Sequence, residues 1–108
     1  MSGSLVRWST REKSYAKKVL DKAYKRLTNQ LIEDVKAKVS EIKKPEDMWK
    51  LQEYLNIQRK RVEGLFEFRT TVMLDSFATL IKEGWIRLDQ LSMLSEEKYR
   101  LLEKETRS

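Results

Sequence analysis

Three adjacent carboxylate pairs, Glu33-Asp34, Glu46-Asp47 and Glu96-Glu97, are the chain's most evident candidates for general acid–base work. Neighbouring residues on a helix do not face each other, so none of these pairs converges on one proton. The chain contains no His and no Cys. That removes every nucleophile–histidine pair, Cys/His zinc sites, disulfides, thioether haem attachment and a histidine pH switch. No glycine-rich phosphate loop and no metal-ligand spacing appears. The expectation is a binding protein rather than an enzyme, with no catalytic residue, no metal and no cofactor.

Two segments carry residue types suited to recognition. Lys17, Lys18, Lys22, Lys25 and Arg26 cluster near Tyr15 and Tyr24. Cations interleaved with aromatics can hold a nucleic acid by charge and stacking, although a solvated helix face explains the same residues. The second segment runs from Asp47 to Arg61. Met48, Leu51 and Leu55 share one helical stripe, while Trp49, Gln52, Glu53 and Arg59 fall off it. Trp49 stands three and four residues from Gln52 and Glu53, so these side chains adjoin, and Arg59 extends the surface. A Trp beside an acid and an Arg has the make-up of a binding hot spot. A Trp that caps the core of a helical hairpin is the other reading of the same spacing.

The elements that must position these residues follow from composition and periodicity. The 108 residues leave room for one domain, 1–108. Of these, 53 are Ala, Glu, Lys, Leu or Arg, against 3 Gly and 1 Pro, a composition of long helices. With 37% charged residues and no long apolar run, no membrane span is expected. The first residues lack the pattern of a secretory signal, so a cytoplasmic location is expected. Net charge is +6, but residues 1–44 hold 12 Lys/Arg against 5 Asp/Glu, and residues 45–108 hold 11 against 12. The basic excess therefore lies in the first half.

Ser9-Thr10-Arg11-Glu12 fits a capping box that opens a helix. Apolar residues from Ala16 to Ile42 recur at three- and four-residue steps, which predicts a helix from about 10 to 43. Pro45 ends it and suits the first position of a second helix, with Glu46 and Asp47 at its positive end. That apolar run continues through Gly64 to Ile81. Gly84 fits a helix C′ position, a short helix is expected over Leu88–Leu94, and Ser95 can cap a last one. A first helix about 50 Å long outruns a globule of this size, whose diameter is about 34 Å. Its far apolar stripe needs cover, and a second copy in a twofold dimer is the commonest solution.

Trp49-Lys50-Leu51-Gln52-Glu53-Tyr54-Leu55, then Arg59, then Gly64-Leu65-Phe66-Glu67-Phe68-Arg69 resembles the fluorescence recovery protein family of cyanobacteria. Phe77-Ala78-Thr79-Leu80-Ile81-Lys82-Glu83-Gly84, Leu88-Asp89-Gln90-Leu91-Ser92-Met93-Leu94, Trp8-Ser9 and Ala23-Tyr24 extend the likeness. The resemblance implies an all-α, cofactor-free homodimer, with a long helical hairpin stem (about 9–65) and a small C-terminal helical head (about 66–108). It implies binding to the photoactivated orange carotenoid protein, mainly its C-terminal domain. Binding would speed return to the resting form and end quenching at thylakoid-bound phycobilisomes. Family dimer-interface positions fall on Trp8, Ile32, Ile42 and Met48, and the partner-binding patch on Trp49, Gln52, Glu53 and Arg59. The family commonly has His and Asp at Gln52 and Glu53, an aromatic at Asp75 and a basic residue at Leu101. A related adaptor with a different client, or a basic nucleic-acid-binding dimer, is the alternative; nucleic acid is the less favoured.

Overall fold

A computed structural model of the chain describes residues 7–107. Among them there is no strand, as the all-α expectation requires. The helices are α1 (Thr10–Ser40), α2 (Pro45–Leu65), α3 (Thr70–Lys82) and α4 (Glu96–Thr106), with a 3-10 turn at Leu88–Leu91.

The start of α1 is the expected capping box. Ser9 Oγ accepts from the Glu12 N–H and Glu12 Oε1 from the Ser9 N–H, both at 3.0 Å. Its end comes earlier than the spacing predicts. Asp47 Oδ2 takes the N–H groups of Lys43 and Lys44 at 3.0 and 3.3 Å, drawing both residues into the turn. Lys44, ahead of Pro45, is extended at φ −147° and ψ 163°. The last turn of α1 closes on tighter bonds, Glu41 N–H to Lys38 O and Ile42 N–H to Val39 O, each 3.1 Å.

The apolar run after Pro45 is two helices, not one. α2 stops at Leu65, and Arg69 is extended at φ −121° and ψ 131°. The break serves a tertiary contact: the Phe66 ring stands edge-on to Tyr24 of α1, with centroids 5.3 Å apart. Gly64, one residue short of the helix end, has open space around it. Gly84 behaves differently. It has φ +84° and completes a Schellman motif, with its own N–H on Ile81 O and the Trp85 N–H on Leu80 O at 3.0 and 2.9 Å. The expected helix over Leu88–Leu94 is only the 3-10 turn at Leu88–Leu91. Ser95 does cap α4, accepting from the Lys98 N–H at 3.4 Å.

One core joins distant parts of the sequence. Ala16, Val19, Leu20, Ala23 and Leu27 of α1 pack against Met73, Phe77, Leu80, Ile86, Leu91, Leu94 and Leu102. α2 contributes no buried residue at all. Beyond Leu27, α1 and α2 run as a two-helix projection, pinned by Lys38 Nζ lying 4.5 Å from the centroid of the Tyr54 ring. The molecule measures 53 × 28 × 23 Å, and its radius of gyration is 16.7 Å. A compact chain of this length would have about 13 Å. No helix of the described residues is long and apolar enough to cross a membrane.

Candidate partner-binding surfaces

Trp49, Gln52, Glu53 and Arg59 all lie on α2 and all are exposed. Helical spacing brings Trp49, Gln52 and Glu53 together, with Arg59 further along the helix. Trp49 is 63% exposed, so it does not cap the core of the hairpin. Arg59 Nε pairs with Glu63 Oε2 at 3.2 Å, one turn on, rather than with Glu53. Both side chains of that pair face solvent, so it holds Arg59 only weakly. The Arg can exchange Glu63 for a partner's acid at little cost.

Met48 shares this helix. It is 47% exposed, and Leu55 and Ile57 on α2, with Ile32 and Val39 on α1, are also exposed. Their own chain covers these apolar side chains only in part, and they do not share one face: Met48 and Leu55 stand together, whereas Ile57, nine residues from Met48, lies on the opposite side of α2. Ile42 is half-buried in the turn between α1 and α2. Trp8 lies elsewhere. It packs against the core just before α1, while Ile42 lies just beyond the other end of that 31-residue helix. The two are therefore about 46 Å apart.

The basic cluster of α1 is exposed at Lys17, Lys18, Lys22, Lys25 and Arg26. Lys17 pairs with Asp21 at 3.6 Å. Arg26 Nη1 donates to the Trp85 carbonyl at 2.9 Å. Asp75 and Leu101 are exposed on α3 and α4. No group of three His, Cys, Asp or Glu that could hold a metal occurs among the described residues.

Sequence reasoning overlooked Lys98. It is 2% exposed, and its ammonium meets Glu12 Oε1 and Oε2 at 3.0 and 3.2 Å and the Arg7 carbonyl. The Trp8 ring lies 5.0 Å away. Glu12 Oε2 also accepts from the Ser95 N–H at 2.7 Å, so one carboxylate ties the start of α1 to the start of α4. Burial pushes the Glu12 carboxyl up, but the Ser9 and Ser95 N–H groups and the Lys98 ammonium outweigh it and hold the group below its ordinary value. The signal was present in the spacing: Leu94, Lys98 and Leu102 share a four-residue stripe, and a cation on such a stripe calls for a buried partner.

The fold is that of an elongated, all-helical protein whose projecting pair of helices carries half-exposed apolar side chains and an exposed Trp and Arg. The family model described as "Photoprotection regulator fluorescence recovery protein" matches residues 8–104. The chain belongs to the fluorescence recovery protein family, whose members are regulators of photoprotection. It is 34% identical over 91 residues to the fluorescence recovery protein of Synechocystis sp. PCC 6803, covering 84% of each chain. The solved structure of the Fremyella diplosiphon fluorescence recovery protein superposes with a TM-score of 0.86 at 35% identity, covering 94% of this chain and 100% of that one. The Synechocystis structure superposes with 0.85 at 31% identity and the same coverage.

Proposed function

We propose that the protein is a non-enzymatic homodimer that binds the photoactivated orange carotenoid protein, mainly through that partner's C-terminal domain. Binding accelerates the partner's return to the resting state and so ends photoprotective quenching. The observation that carries this reading is the stem: apolar side chains left about half exposed by their own chain, beside an exposed Trp49–Arg59 surface.

Residues 9–65 are the stem of this reading and residues 66–108 the head, with the first half of α1 roofed by the head. An isologous pairing brings residue i of one copy to residue j of the other and j to i. Antiparallel stems would bury Ile32 and Met48 and bring each Ile42 turn towards the partner's Trp8 end, which suits the separation of Trp8 and Ile42 along α1. Trp49 then serves as the apolar anchor, Glu53 and Arg59 as charged contacts and Gln52 as a hydrogen-bonding group at the rim. A protein shifts its client's equilibrium only by unequal affinity for the two states. Faster recovery further requires that it hold the client's separated domains in the geometry of their reunion. Such an encounter takes place in the cytoplasm, beside thylakoid-bound phycobilisomes.

The departures at Gln52, Glu53, Asp75 and Leu101, all exposed, favour one second reading: a family-related adaptor with a different client. The deciding measurement is the absorbance recovery of several photoactivated orange carotenoid proteins in the dark, with and without this protein. Faster recovery supports the carotenoid role. Unchanged recovery with an intact dimer replaces it by the second reading.

A further inference from the structure

Between residues 10 and 26 the chain holds seven cations, Arg11, Lys13, Lys17, Lys18, Lys22, Lys25 and Arg26, against two acids, Glu12 and Asp21. Both acids are engaged, Glu12 with Lys98 and Asp21 with Lys17. Four of the cations form a line. Arg11, Lys18, Lys22 and Lys25 recur at steps of seven, four and three, which puts them on one helical face. All four are exposed. The buried residues Ala16, Val19, Leu20, Ala23 and Leu27 lie on the other side of the same helix. The line is straight and about 21 Å long at the helical rise. Among the described residues, none of the four has a carboxylate oxygen within 4.0 Å.

Elsewhere some surface cations are paired locally, as Arg59 is by Glu63, Arg87 by Asp89 and Arg100 by Glu96, and cations unpaired among the described residues, such as Lys60, Lys82 and Lys104, stand apart on three different helices. An uncompensated row of like charges on a helix carries a repulsive cost that local acids would remove. A shallow groove follows one flank, lined by Tyr15, Val19, Gln90 and Asp21 beside Lys18 and Lys22; its one carboxylate, on Asp21, is the partner of Lys17. From this we infer that the outer face of α1 is a second docking surface, separate from the Trp49–Arg59 patch, for a protein helix that displays carboxylates at three- and four-residue steps.

A helix lying along α1 repeats its side chains at the same pitch, so carboxylates can meet Lys18, Lys22 and Lys25 in turn. Nucleic acid fits less well. The Tyr15 hydroxyl donates to the Gln90 carbonyl and Tyr24 stands edge-on to Phe66, so both aromatics of the segment already have partners within the chain. An anionic membrane fits less well too, because the line offers no apolar side chain for insertion between Arg11 and Lys25. Opposed charges of this sort set the rate of encounter and its salt dependence more than the final affinity.

The test titrates the full protein against a labelled alanine-rich helical peptide carrying four Glu along one face. The comparison probes are the same composition with its Glu scattered round the helix, a single-stranded oligonucleotide, a DNA duplex, and vesicles of phosphatidylserine and phosphatidylcholine. The expected result is tighter binding of the one-faced peptide than of the scattered one, weakening with added salt. Lys18→Glu/Lys22→Glu/Lys25→Glu should weaken it by at least about tenfold. Lys18→Gln/Lys22→Gln/Lys25→Gln should give an intermediate loss. Lys60→Glu/Lys82→Glu/Lys104→Glu makes the same change in net charge elsewhere and should leave binding within a factor of two. Far-UV circular dichroism checks that each variant keeps its helices, and the neutral triple variant decides should the charge-reversed one unfold. Equal binding of the two peptides, or equal losses in the two reversed variants, would reduce the effect to net charge and overturn the proposal. Tighter binding of an oligonucleotide or of the vesicles would overturn the partner class. Trp49→Ala leaves this binding unchanged, so its outcome is independent of the carotenoid role.

Discussion

At the scale of single residues the least replaceable charge is on Glu12, which faces three sets of donors: the Ser9 N–H, the Ser95 N–H and the Lys98 ammonium. Glu12→Gln leaves a buried ammonium without its counter-ion, and the expected cost is about 3 kcal/mol in urea unfolding. Lys98→Met is expected to cost less, because Glu12 keeps two backbone donors. The folded Glu12 carboxyl lies below its ordinary value, so the unfolded chain binds this proton more readily. The stabilisation is complete above the unfolded value, about pH 4.3, and fades as the pH falls through the folded one. Urea midpoints measured from pH 6 down to pH 3 should therefore fall more steeply in the parent than in Glu12→Gln; parallel curves would remove Glu12 from the acid response. Trp49 and Arg59 are predicted to matter for a different reason. With both exposed, Trp49→Ala and Arg59→Ala should leave the unfolding midpoint unchanged. Each should slow the recovery of the orange carotenoid protein, by about thirtyfold for the Trp if it is a contact centre. A loss of stability without a loss of recovery would assign them a structural role.

At the scale of elements, two glycines with opposite roles test the chain's helix boundaries. Gly84 sits at φ +84°, where an L side chain is strained whatever the space around it. Gly84→Ala should destabilise by about 1 kcal/mol, seen as a lowered thermal midpoint. Gly64 is in α2, where the backbone is ordinary helix and an added methyl would meet open space. Gly64→Ala should raise stability by up to about 1 kcal/mol, since Ala orders into a helix at less entropic cost. A loss at this position would reveal a close neighbour supplied by a second copy. The break between α2 and α3 falls where the apolar spacing lapses, since Arg69 and Thr70 stand where the stripe after Phe66 would continue, and there Phe66 meets Tyr24 of α1.

At the scale of the whole molecule, the stem sets the expected assembly. No residue of α2 is fully buried within its own chain, and only Val62 and Leu65 at its end pack against the core, so the rest of the helix stands to gain stability from packing against another surface. Light scattering coupled to gel filtration should return about twice 12.9 kDa at micromolar concentration. Met48→Glu should shift that mass towards the monomer, because a carboxylate buried without a partner costs several kcal/mol or takes up a proton. An unchanged mass distribution would take Met48 out of the interface. The head, with its core of Met73, Phe77, Leu80, Leu91 and Leu102, should keep its helices in that variant.

The number and kind of elements were legible in the sequence because each rests on short-range rules. Three- and four-residue spacing announced the helices, Ser9 and Ser95 their caps, Pro45 the hairpin turn and Gly84 the end of α3. That Trp49 adjoins Gln52 and Glu53, with Arg59 further along the same helix, was legible for the same reason, since one helix fixes which side chains share a face. What a face packs against depends on residues far away in sequence. Only the tertiary structure decided that α1 belongs to the core as far as Leu27 and leaves it beyond, and that Lys98 is buried over Glu12. It also decided that Trp49 is free, that Trp8 lies against the core, and that Asp47 ends α1 by holding two amides of the turn. In each case the pattern stated a need, for apolar cover, a counter-charge or a donor, and the fold chose which group would meet it.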